Sequence, residues 1–470
     1  MRIVNIADPS AREAIAELQQ KLSINRGAEA VGSSEKTVQV FGSPLTPVEA
    51  VRRIVGDVRR EGDAAVFRYS KLLDGFELNE RNIRVSAEEI DAAENEVTPE
   101  FLAAAENAIN RVGRFQENIL VTPPPPIREK GRRLSLNYVP IRRIGVYVPG
   151  YSAKLPSSVI MNCVPAQVAG VREIALATPP DASGKVCPEI LACCSLLGVN
   201  EVYRIGGAQA VAALALGTKS VPRVDMVAGP GNIFTTLAKK EVLGEVAIDI
   251  LAGPSEVLVL ADDSARPEVV AADLLSQAEH APAAVFVVTP SKALADAVVA
   301  EVEKQLAALS RRERTAPVLD EYSLVVLTGT MEEAIAVAND IAPEHVQINT
   351  AEPEAIVPKI VNAGAIFVGS WTPVAAGDYC AGPSHTLPTG GTARFFSGLT
   401  ANAFMKTISV IKYDRLSLEQ DSADIIALAE AEGLTAHAES VRARFREKKP
   451  GSGQSEAPVK PDKVPGAQWE

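Results

Sequence analysis

The sequence is poor in several chemically active residue types, and each scarcity excludes a class of protein. Its 470 residues include four histidines, five cysteines and two tryptophans, and aromatic residues make up only 5%. The cysteines are odd in number and form no Cys-x-x-Cys pair, so neither a disulfide scaffold nor a thiolate zinc site is expected. No run of about 18 apolar residues occurs, and the N-terminus lacks an apolar segment flanked by basic residues. We therefore expect a cytoplasmic protein with reduced thiols.

Positive charge is scarce as well. The chain carries 47 Lys and Arg against 59 Asp and Glu, which gives a formal net charge of −12. Phosphate backbones are bound by clustered Lys and Arg, so a nucleic-acid partner is not expected, and neither is a membrane. The expected partner is a small molecule. The chain has 470 residues, of which 47% are hydrophobic. Because a single hydrophobic core stops growing at roughly 250 to 300 residues, this length predicts two or more domains.

The fold class follows from how apolar residues are spaced along the chain. The first 140 residues are mainly helical in pattern, and residues 422–446 form another helical segment. Beyond residue 143, short Val, Ile and Leu runs alternate with helical patterns, which is typical of an α/β fold with parallel, covered sheets. The predicted strands are 144–148, 173–178, 201–205, 225–228, 257–261, 285–288, 324–327, 346–349, 365–368 and 408–413. The predicted helices between them include 208–216, 233–242, 267–279 and 292–309.

One helix face carries metal-binding side chains. Asp273, Gln277 and His280 are spaced at i, i+4 and i+7, which places them on one side of the helix. A carboxylate, an amide oxygen and an imidazole are suitable ligands for a divalent metal. A buried polar stripe is an equally good interpretation of this spacing.

Two further segments hold groups suited to proton transfer. Glu344 and His345 lie at the entry to a predicted strand, and two neighbouring groups of different basicity suit a reaction with two proton transfers. A surface carboxylate beside a histidine bonded to the backbone is the alternative. Asp378 and His385 lie in a predicted long loop, 371–388, and long ordered loops are usually functional. A plain connector is the alternative there.

Glycine-rich turns follow two predicted strands and open two predicted helices. These turns are 206–209 and 229–232, and residues 252–256 resemble a third. Exposed amide groups at a helix N-terminus attract phosphate, although neither turn matches the Gly-x-Gly-x-x-Gly dinucleotide pattern. The turns predict an anion or nucleotide site, with tight-turn geometry alone as the alternative.

Taken together, these segments closely resemble the histidinol dehydrogenase family, the zinc- and NAD-dependent enzymes of the last two steps of histidine biosynthesis. The resemblance runs from about residue 48 to residue 446. It rests on the motifs RIGVYVPG (143–150), IGGAQA (205–210), GPGN (229–232), AGPSEV (252–257), LLSQAEH (274–280), PEHV (343–346) and AGDY (376–379), with the segment 432–437.

The resemblance implies a set of site residues. One zinc ion per subunit would be held by Gln277, His280, Asp378 and His437, and the acid–base pair would be Glu344 and His345. Substrate would contact Ser255, Gln277, His280, His345, Asp378, Glu432 and His437. NAD would contact Tyr147, Gln209 and Asn232, whereas His385 would only support the neighbouring ligands.

The resemblance also implies an activity and an assembly. The activity is the four-electron oxidation of L-histidinol to L-histidine through histidinal. The assembly is a homodimer in which the C-terminal arm crosses to the partner, so that Glu432 and His437 complete the other subunit's site. The implied fold has two incomplete doubly wound, Rossmann-like domains with helical arms at both ends. Its predicted parts are an N-terminal arm (1–42), a first domain (43–142 with 256–399), a second domain (143–255), a dimerisation arm (400–449) and a disordered tail (450–470).

Two positions depart from the family pattern, and three other functions remain open. Tyr151 replaces a glycine on the nucleotide side, and Ala281 stands where an Asp often follows the metal-binding histidine. The alternatives are a related zinc and NAD dehydrogenase of another small amino or sulfonated alcohol, a zinc hydrolase with Glu344 as base, and a binding protein without turnover.

Overall fold

The computed structural model describes residues 1–24, 35–150, 154–280 and 282–446. Tyr151, Ala281 and the predicted disordered tail therefore lie outside the described residues. Contacts divide the chain into two units, which are considered separately below. The first consists of Met1–Thr122 and Val139–Lys406, and the second of Pro123–Tyr138 and Thr407–Glu470.

The strands and helices agree with the α/β class expected from the sequence. In chain order the strands are β1 (Arg2–Asn5), β2 (Ile127–Glu129), β3 (Arg132–Pro140), β4 (Arg143–Tyr147), β5 (Glu173–Ala177), β6 (Glu201–Tyr203), β7 (Met226–Ala228), β8 (Ala247–Ile248), β9 (Ser255–Ala261), β10 (Ala283–Thr289), β11 (Ser323–Leu327), β12 (His345–Asn349), β13 (Ala365–Val368) and β14 (Met405–Lys412). The α-helices are Pro9–Leu22, Glu35–Phe41, Pro47–Glu61, Asp63–Tyr69, Ala87–Ala92, Pro99–Ile119, Pro156–Val168, Pro188–Leu196, Gly207–Leu216, Ile233–Val242, Pro267–Ala278, Lys292–Leu306, Arg312–Glu321, Met331–Ile341, Val374–Tyr379, Arg415–Ala431 and Thr435–Ala443.

A six-stranded parallel sheet forms one half of the first unit. Its strand order is β1-β11-β10-β9-β12-β13. Alternate residues of β9 point to opposite faces, so Leu258 and Leu260 join one core cluster while Val257 and Val259 join another. Because both faces are covered, the strands are apolar on both sides, which is why they are recognisable in the sequence. The edge strand β1 is mostly exposed and was not predicted.

A five-stranded parallel sheet forms the other half of the first unit. Its order is β6-β5-β4-β7-β8. Helices Pro156–Val168 and Pro188–Leu196 contribute to the core on one face, and helices Gly207–Leu216 and Ile233–Val242 to the core on the other. Two doubly wound parallel sheets are thus confirmed, whereas the domain boundaries proposed from the sequence stay a prediction.

The second unit has little core of its own. It contains β2 and β3, which pair antiparallel, the strand β14 beside β3, and the two C-terminal helices. Several of its large apolar side chains are exposed, among them Ile411 (69%), Leu416 (67%) and Leu428 (68%). The predicted helix 422–446 is interrupted, because the chain turns at Gly433 with a φ of +73° between the helices. Within the described part of the chain, no helix has the length and apolarity to cross a membrane.

Candidate functional site

The catalytic candidates lie where strands of the six-stranded sheet begin. Ser255 is the first residue of β9 and His345 the first residue of β12, and these two strands are neighbours with His345 paired to Val257. Glu344 immediately precedes β12. The amino ends of parallel strands meet at one edge of a sheet, so the three side chains converge there.

Glu344 and His345 are held by directed hydrogen bonds. The Glu344 Oε2 atom accepts from the Ser255 hydroxyl at 2.5 Å and from the Glu256 backbone N–H at 2.9 Å. The His345 Nδ1 atom lies 2.7 Å from the Glu256 backbone carbonyl and 3.5 Å from Glu344 Oε2. A carbonyl can only accept, so Nδ1 carries the proton and Nε2 keeps its lone pair. The alternative of a surface carboxylate is excluded because Glu344 is buried.

Burial sets the protonation of both groups. It raises the pKa of Glu344 to about 8. It lowers the pKa of His345, against the opposing effects of the Asp378 carboxyl and of the hydrogen bond to Glu256. A neutral imidazole beside a carboxyl of raised pKa is suited to proton transfer.

Gln277, His280 and Asp378 approach the same edge from two helices. The Gln277 amide donates to the Ser255 hydroxyl. His280 follows the end of helix Pro267–Ala278 and is exposed. Burial raises the pKa of Asp378 to about 6, with His345 lowering it and Glu344 raising it, so Asp378 lies within electrostatic range of the pair.

The segment 371–388 is not the plain loop expected from the sequence. It contains the helix Val374–Tyr379, whose last turn carries Asp378. This short helix brings Asp378 back to the amino edge, where it lines a cavity of about 140 Å³ with His345 and His385. The His385 Nδ1 atom lies 3.0 Å from the Asp378 backbone carbonyl, which agrees with a supporting role.

Asp273 belongs to a different set of contacts. Its carboxylate accepts a hydrogen bond of 2.6 Å from the amide of Gln347, and the side chain is buried. Of the three residues on one helix face, Asp273 therefore matches the polar-stripe interpretation. Gln277 and His280 stay candidates for a metal.

The candidate metal ligands are of the types that zinc binds, but the first unit does not supply a complete set of them. Gln277, His280 and Asp378 offer the nitrogen and oxygen ligands that zinc accepts. Among the described residues, however, no three His, Cys, Asp or Glu side chains are close enough to hold an ion by themselves. His437 and Glu432 belong to the second unit, where both are exposed. A complete site thus needs the Gln277 oxygen and a ligand from elsewhere, and the metal stays a prediction.

The three residues expected to contact NAD line one cavity at the carboxyl edge of the five-stranded sheet. This cavity encloses about 310 Å³ and includes Tyr147, Gln209 and Asn232. Tyr147 ends β4, and its hydroxyl accepts from the Gly207 N–H at 3.1 Å. The Gln209 amide donates to Asp74 at 3.0 Å, while its oxygen is buried and has no hydrogen-bond partner among the residues that the structure describes. Such an orphaned acceptor is suited to a donor group of a ligand.

Asn232 and the apolar wall complete this cavity. The Asn232 side chain accepts from the Phe234 and Thr235 N–H groups and so caps the helix that follows. Its role in the turn is therefore structural in part. Apolar side chains form much of the remaining wall, including Phe41, Ile54, Leu73 and Phe234. An apolar cavity with a few polar groups is the usual form of a small-molecule site.

The glycine turns differ from one another. The turns at 206–209 and 229–232 each join a strand to a helix, as predicted. The third, 252–256, leads into β9 instead, so its assignment to the same type was wrong.

Sequence reasoning missed the residues that hold the 229–232 turn. The buried Lys239 and Asp249 form an ion pair of 2.5 Å. The Gly229 N–H donates to Asp249 at 2.8 Å, and the Gly229 carbonyl accepts from Lys239 at 2.9 Å. Gly229 has a φ of +110°, and a Cβ there would lie 2.1 Å from the Tyr147 carbonyl oxygen. Only glycine fits, and the buried pair fixes the turn against Tyr147.

The fold is doubly wound α/β, with a buried carboxyl–imidazole pair at the edge of one sheet and a ligand-sized cavity at the edge of the other, which is the form expected of an α/β enzyme. The family model for histidinol dehydrogenase matches residues 45–445. The chain belongs to the histidinol dehydrogenase family, which is a family of oxidoreductases.

Individual relatives agree with this assignment. Histidinol dehydrogenase of Rhodopirellula baltica is 45% identical over 452 residues, which cover 94% of this chain and 97% of the relative. That of Heliobacterium mobile is 49% identical over 396 residues, 84% of this chain and 93% of the relative. The crystal structure of histidinol dehydrogenase from Elizabethkingia anophelis matches with a TM-score of 0.81 and 37% identity, covering 87% of this chain and 95% of that one.

Proposed function

We propose that this protein oxidises L-histidinol to L-histidine through histidinal, with two molecules of NAD⁺ as hydride acceptors, and thereby completes histidine biosynthesis. The observation that carries the proposal is the Glu344–His345 pair. Both side chains are buried and hydrogen-bonded in one orientation, and His345 lines a cavity together with Asp378.

The pair divides two proton transfers between its members. The His345 Nε2 atom, left unprotonated by the bond from Nδ1 to the Glu256 carbonyl, takes the proton of the primary alcohol in the first oxidation. Glu344, as its carboxylate, then removes a proton from the water that adds to the aldehyde. Ser255 is bonded to Glu344 and Gln277, so it links the catalytic carboxyl to the metal-binding candidates.

Two bound groups would supply the chemistry that side chains lack. NAD⁺ provides the hydride acceptor, and zinc provides a Lewis acid that holds and polarises the substrate. Tyr147, Gln209 and Asn232 would hold the nucleotide, and Gln277, His280, Asp378 and His437 would hold one zinc ion per subunit. The aldehyde stays bound between the two steps, which prevents its loss.

Chain connectivity supports the use of one site by both groups. The chain leaves β8 at the carboxyl edge of the five-stranded sheet and enters β9 at the amino edge of the six-stranded sheet. Residues 249–254 lie between, and such a segment spans at most roughly 25 Å. This short connection agrees with a nucleotide cavity and a catalytic pair that serve one site.

We also propose a homodimer in which the C-terminal arm supplies Glu432 and His437 to the partner's site. The exposed Ile411, Leu416 and Leu428 of the second unit support it, since a self-sufficient unit would bury them. The five cysteines are all unpaired, which agrees with a reducing compartment such as the cytoplasm.

Separate assays of the two oxidations test the proposed function. Glu344→Gln keeps the shape of the side chain but cannot accept a proton. We expect it to form one equivalent of NADH per site from histidinol, at a single-turnover rate near that of the wild type, and to stall with bound histidinal. Equal loss of both oxidations would contradict the division of roles.

Mixed dimers test the shared arm. His280→Ala and His437→Ala proteins, each inactive alone, should regain one intact site per dimer after subunit exchange. No recovery of activity in dimers proven to be mixed would contradict a shared site.

A further inference from the structure

Glu256 is a buried carboxyl that the catalytic scheme leaves without a role. It is the second residue of β9, only 2% exposed, and is followed by the apolar run 257–261. A carboxyl in such a position costs free energy unless its oxygens are hydrogen-bonded. Burial first, and the nearby Glu344 carboxyl second, raise the pKa of Glu256 to about 8.

Every polar atom of Glu256 is engaged in a directed contact. Its Oε2 atom accepts from the Glu344 N–H at 3.2 Å, and its own N–H donates to Glu344 Oε2 at 2.9 Å. This reciprocal pair of bonds ties the two residues in both directions. The Oε1 atom accepts from the Gly390 N–H at 2.8 Å, and the backbone carbonyl accepts from His345 Nδ1 at 2.7 Å.

Three of these four bonds end on the catalytic pair. The backbone bonds of Glu256 set which Glu344 oxygen is occupied and which His345 nitrogen carries the proton. The side chain holds the backbone at Glu344 and, through Gly390, a second loop against β9. The effect of this side chain on His345 is therefore indirect, through the relative position of β9 and β12.

We propose that Glu256 is a positioning residue that fixes the orientation of the Glu344 carboxyl and the tautomer of the His345 imidazole. The inference rests on the proposed function only in naming the reaction that the pair performs. The positioning itself is a property of the fold.

The contacts specify a carboxyl rather than an amide. Both Glu256 oxygens accept from backbone N–H groups, and an amide would turn an NH₂ group toward one of these donors. Glu256→Gln therefore loses one bond and keeps the volume. Glu256→Ala loses both bonds and leaves a cavity. We therefore expect Glu256→Ala to lower kcat more than Glu256→Gln does.

Kinetics provide the first test. Misplacement of catalytic groups by about 1 Å costs roughly 10²-fold in rate. We expect Glu256→Gln to lower kcat for both oxidations by roughly 10- to 100-fold, with the KM for NAD⁺ within about twofold of the wild type. Asp57→Asn is the matched control, since Asp57 is a buried carboxyl whose partners are Tyr69 and arginines. Asp57→Asn should lower the thermal stability about as much as Glu256→Gln does, but it should leave kcat unchanged. Equal kcat for Glu256→Gln and the control would overturn the proposal.

The second test does not depend on activity. The chain has four histidines, so ¹⁵N-histidine spectra can be assigned with single variants. In the folded wild-type protein, His345 should appear as the Nδ1–H tautomer, and in Glu256→Gln as a mixture of tautomers. An unchanged single tautomer in the variant would overturn the proposal. If the wild type forms no NADH from histidinol, the proposed function fails, while the tautomer result still decides the role of Glu256.

Discussion

The two sheets of the first unit place their polar groups at opposite edges. In the six-stranded sheet, Ser255, Glu344 and His345 lie where strands begin. Glu344 and His345 are buried, Glu344 accepts a hydrogen bond from Ser255, and His345 is bonded to the Glu256 backbone carbonyl. In the five-stranded sheet, Tyr147, Gln209 and Asn232 lie where strands end, around a largely apolar cavity. Open α/β sheets usually bind ligands at the carboxyl ends of strands. The cavity of the five-stranded sheet follows that rule, whereas the Glu344–His345 pair lies at the amino ends of strands.

Under the proposed function, this difference separates two physical tasks, proton transfer and nucleotide binding. A catalytic edge needs groups whose protonation is tuned, and burial of Glu344 and His345 achieves this. A binding edge needs apolar area and a few fixed hydrogen-bond partners, which the cavity supplies. Variants at the two edges should therefore separate turnover from nucleotide affinity.

The largest separation is expected from His345→Asn. Removal of a general base typically costs 10²- to 10⁴-fold in rate. Because Asn can still donate to the Glu256 carbonyl but cannot take the alcohol proton, kcat with histidinol should fall by about that factor. Steady-state assays should show an unchanged KM for NAD⁺. A normal kcat together with weakened NAD⁺ binding in His345→Asn would contradict the assignment of turnover to this edge.

A large loss of stability is expected at the binding edge from Lys239→Met. The change leaves Asp249 as an unpaired buried carboxylate, which costs about 3–5 kcal/mol. Urea unfolding should measure this loss, and the KM for NAD⁺ should rise because the 229–232 turn loses one of its two anchors. The double variant Lys239→Met/Asp249→Leu should recover much of the stability. If the double variant is as unstable as the single one, the ion pair is not the cause.

A smaller effect concerns pH and the catalytic edge. The pKa of both Glu256 and Glu344 is about 8 in the folded protein, above the ordinary value of 4.5. Each group binds its proton more tightly when folded, so its contribution is complete below pH 4.5 and is lost as the pH rises toward 8. Between pH 5 and pH 8.5, the free energy of unfolding of the metal-free protein should fall by roughly 1–3 kcal/mol. Its thermal midpoint should fall by a few degrees as a result. Glu344→Gln should flatten that slope, and an identical slope in both proteins would contradict the assignment.

The smallest expected effect is that of Gln209→Leu on nucleotide binding. The variant removes the orphaned amide oxygen, and one neutral hydrogen bond contributes about 1 kcal/mol. The dissociation constant for NAD⁺ should therefore rise by roughly fivefold, as measured by titration calorimetry, while kcat at saturating NAD⁺ stays near the wild-type value. A fall in kcat without loss of affinity would place Gln209 with the catalytic groups instead.

Sequence patterns predict the parts of this fold that depend on local spacing. The buried strands β9 and β10 are apolar throughout and are flanked by recognisable turns, so both were predicted to within a few residues. The edge strand β1 was missed because its residues are mostly exposed. The strands β2 and β3 of the second unit were missed for a similar reason, since they lack a buried face.

The contacts of the candidate site could not be predicted, because they join residues that are far apart in the sequence. The pairing of Glu256 with Glu344 spans 88 residues, and that of Asp74 with Gln209 spans 135. No local spacing encodes such contacts. A weak signal exists at Glu256, because a lone carboxyl opening an apolar strand needs a buried partner. The helix Val374–Tyr379, which places Asp378 at the amino edge, was not predicted either, because its glycine and proline neighbours indicated a loop.

The yield of NADH per molecule of histidinol tests the central claim most directly. With limiting histidinol, excess NAD⁺ and protein of known metal content, two equivalents of NADH and one of histidine should form. A yield of one equivalent with histidinal released, or no NADH from metal-loaded protein, would contradict a four-electron oxidation at one site.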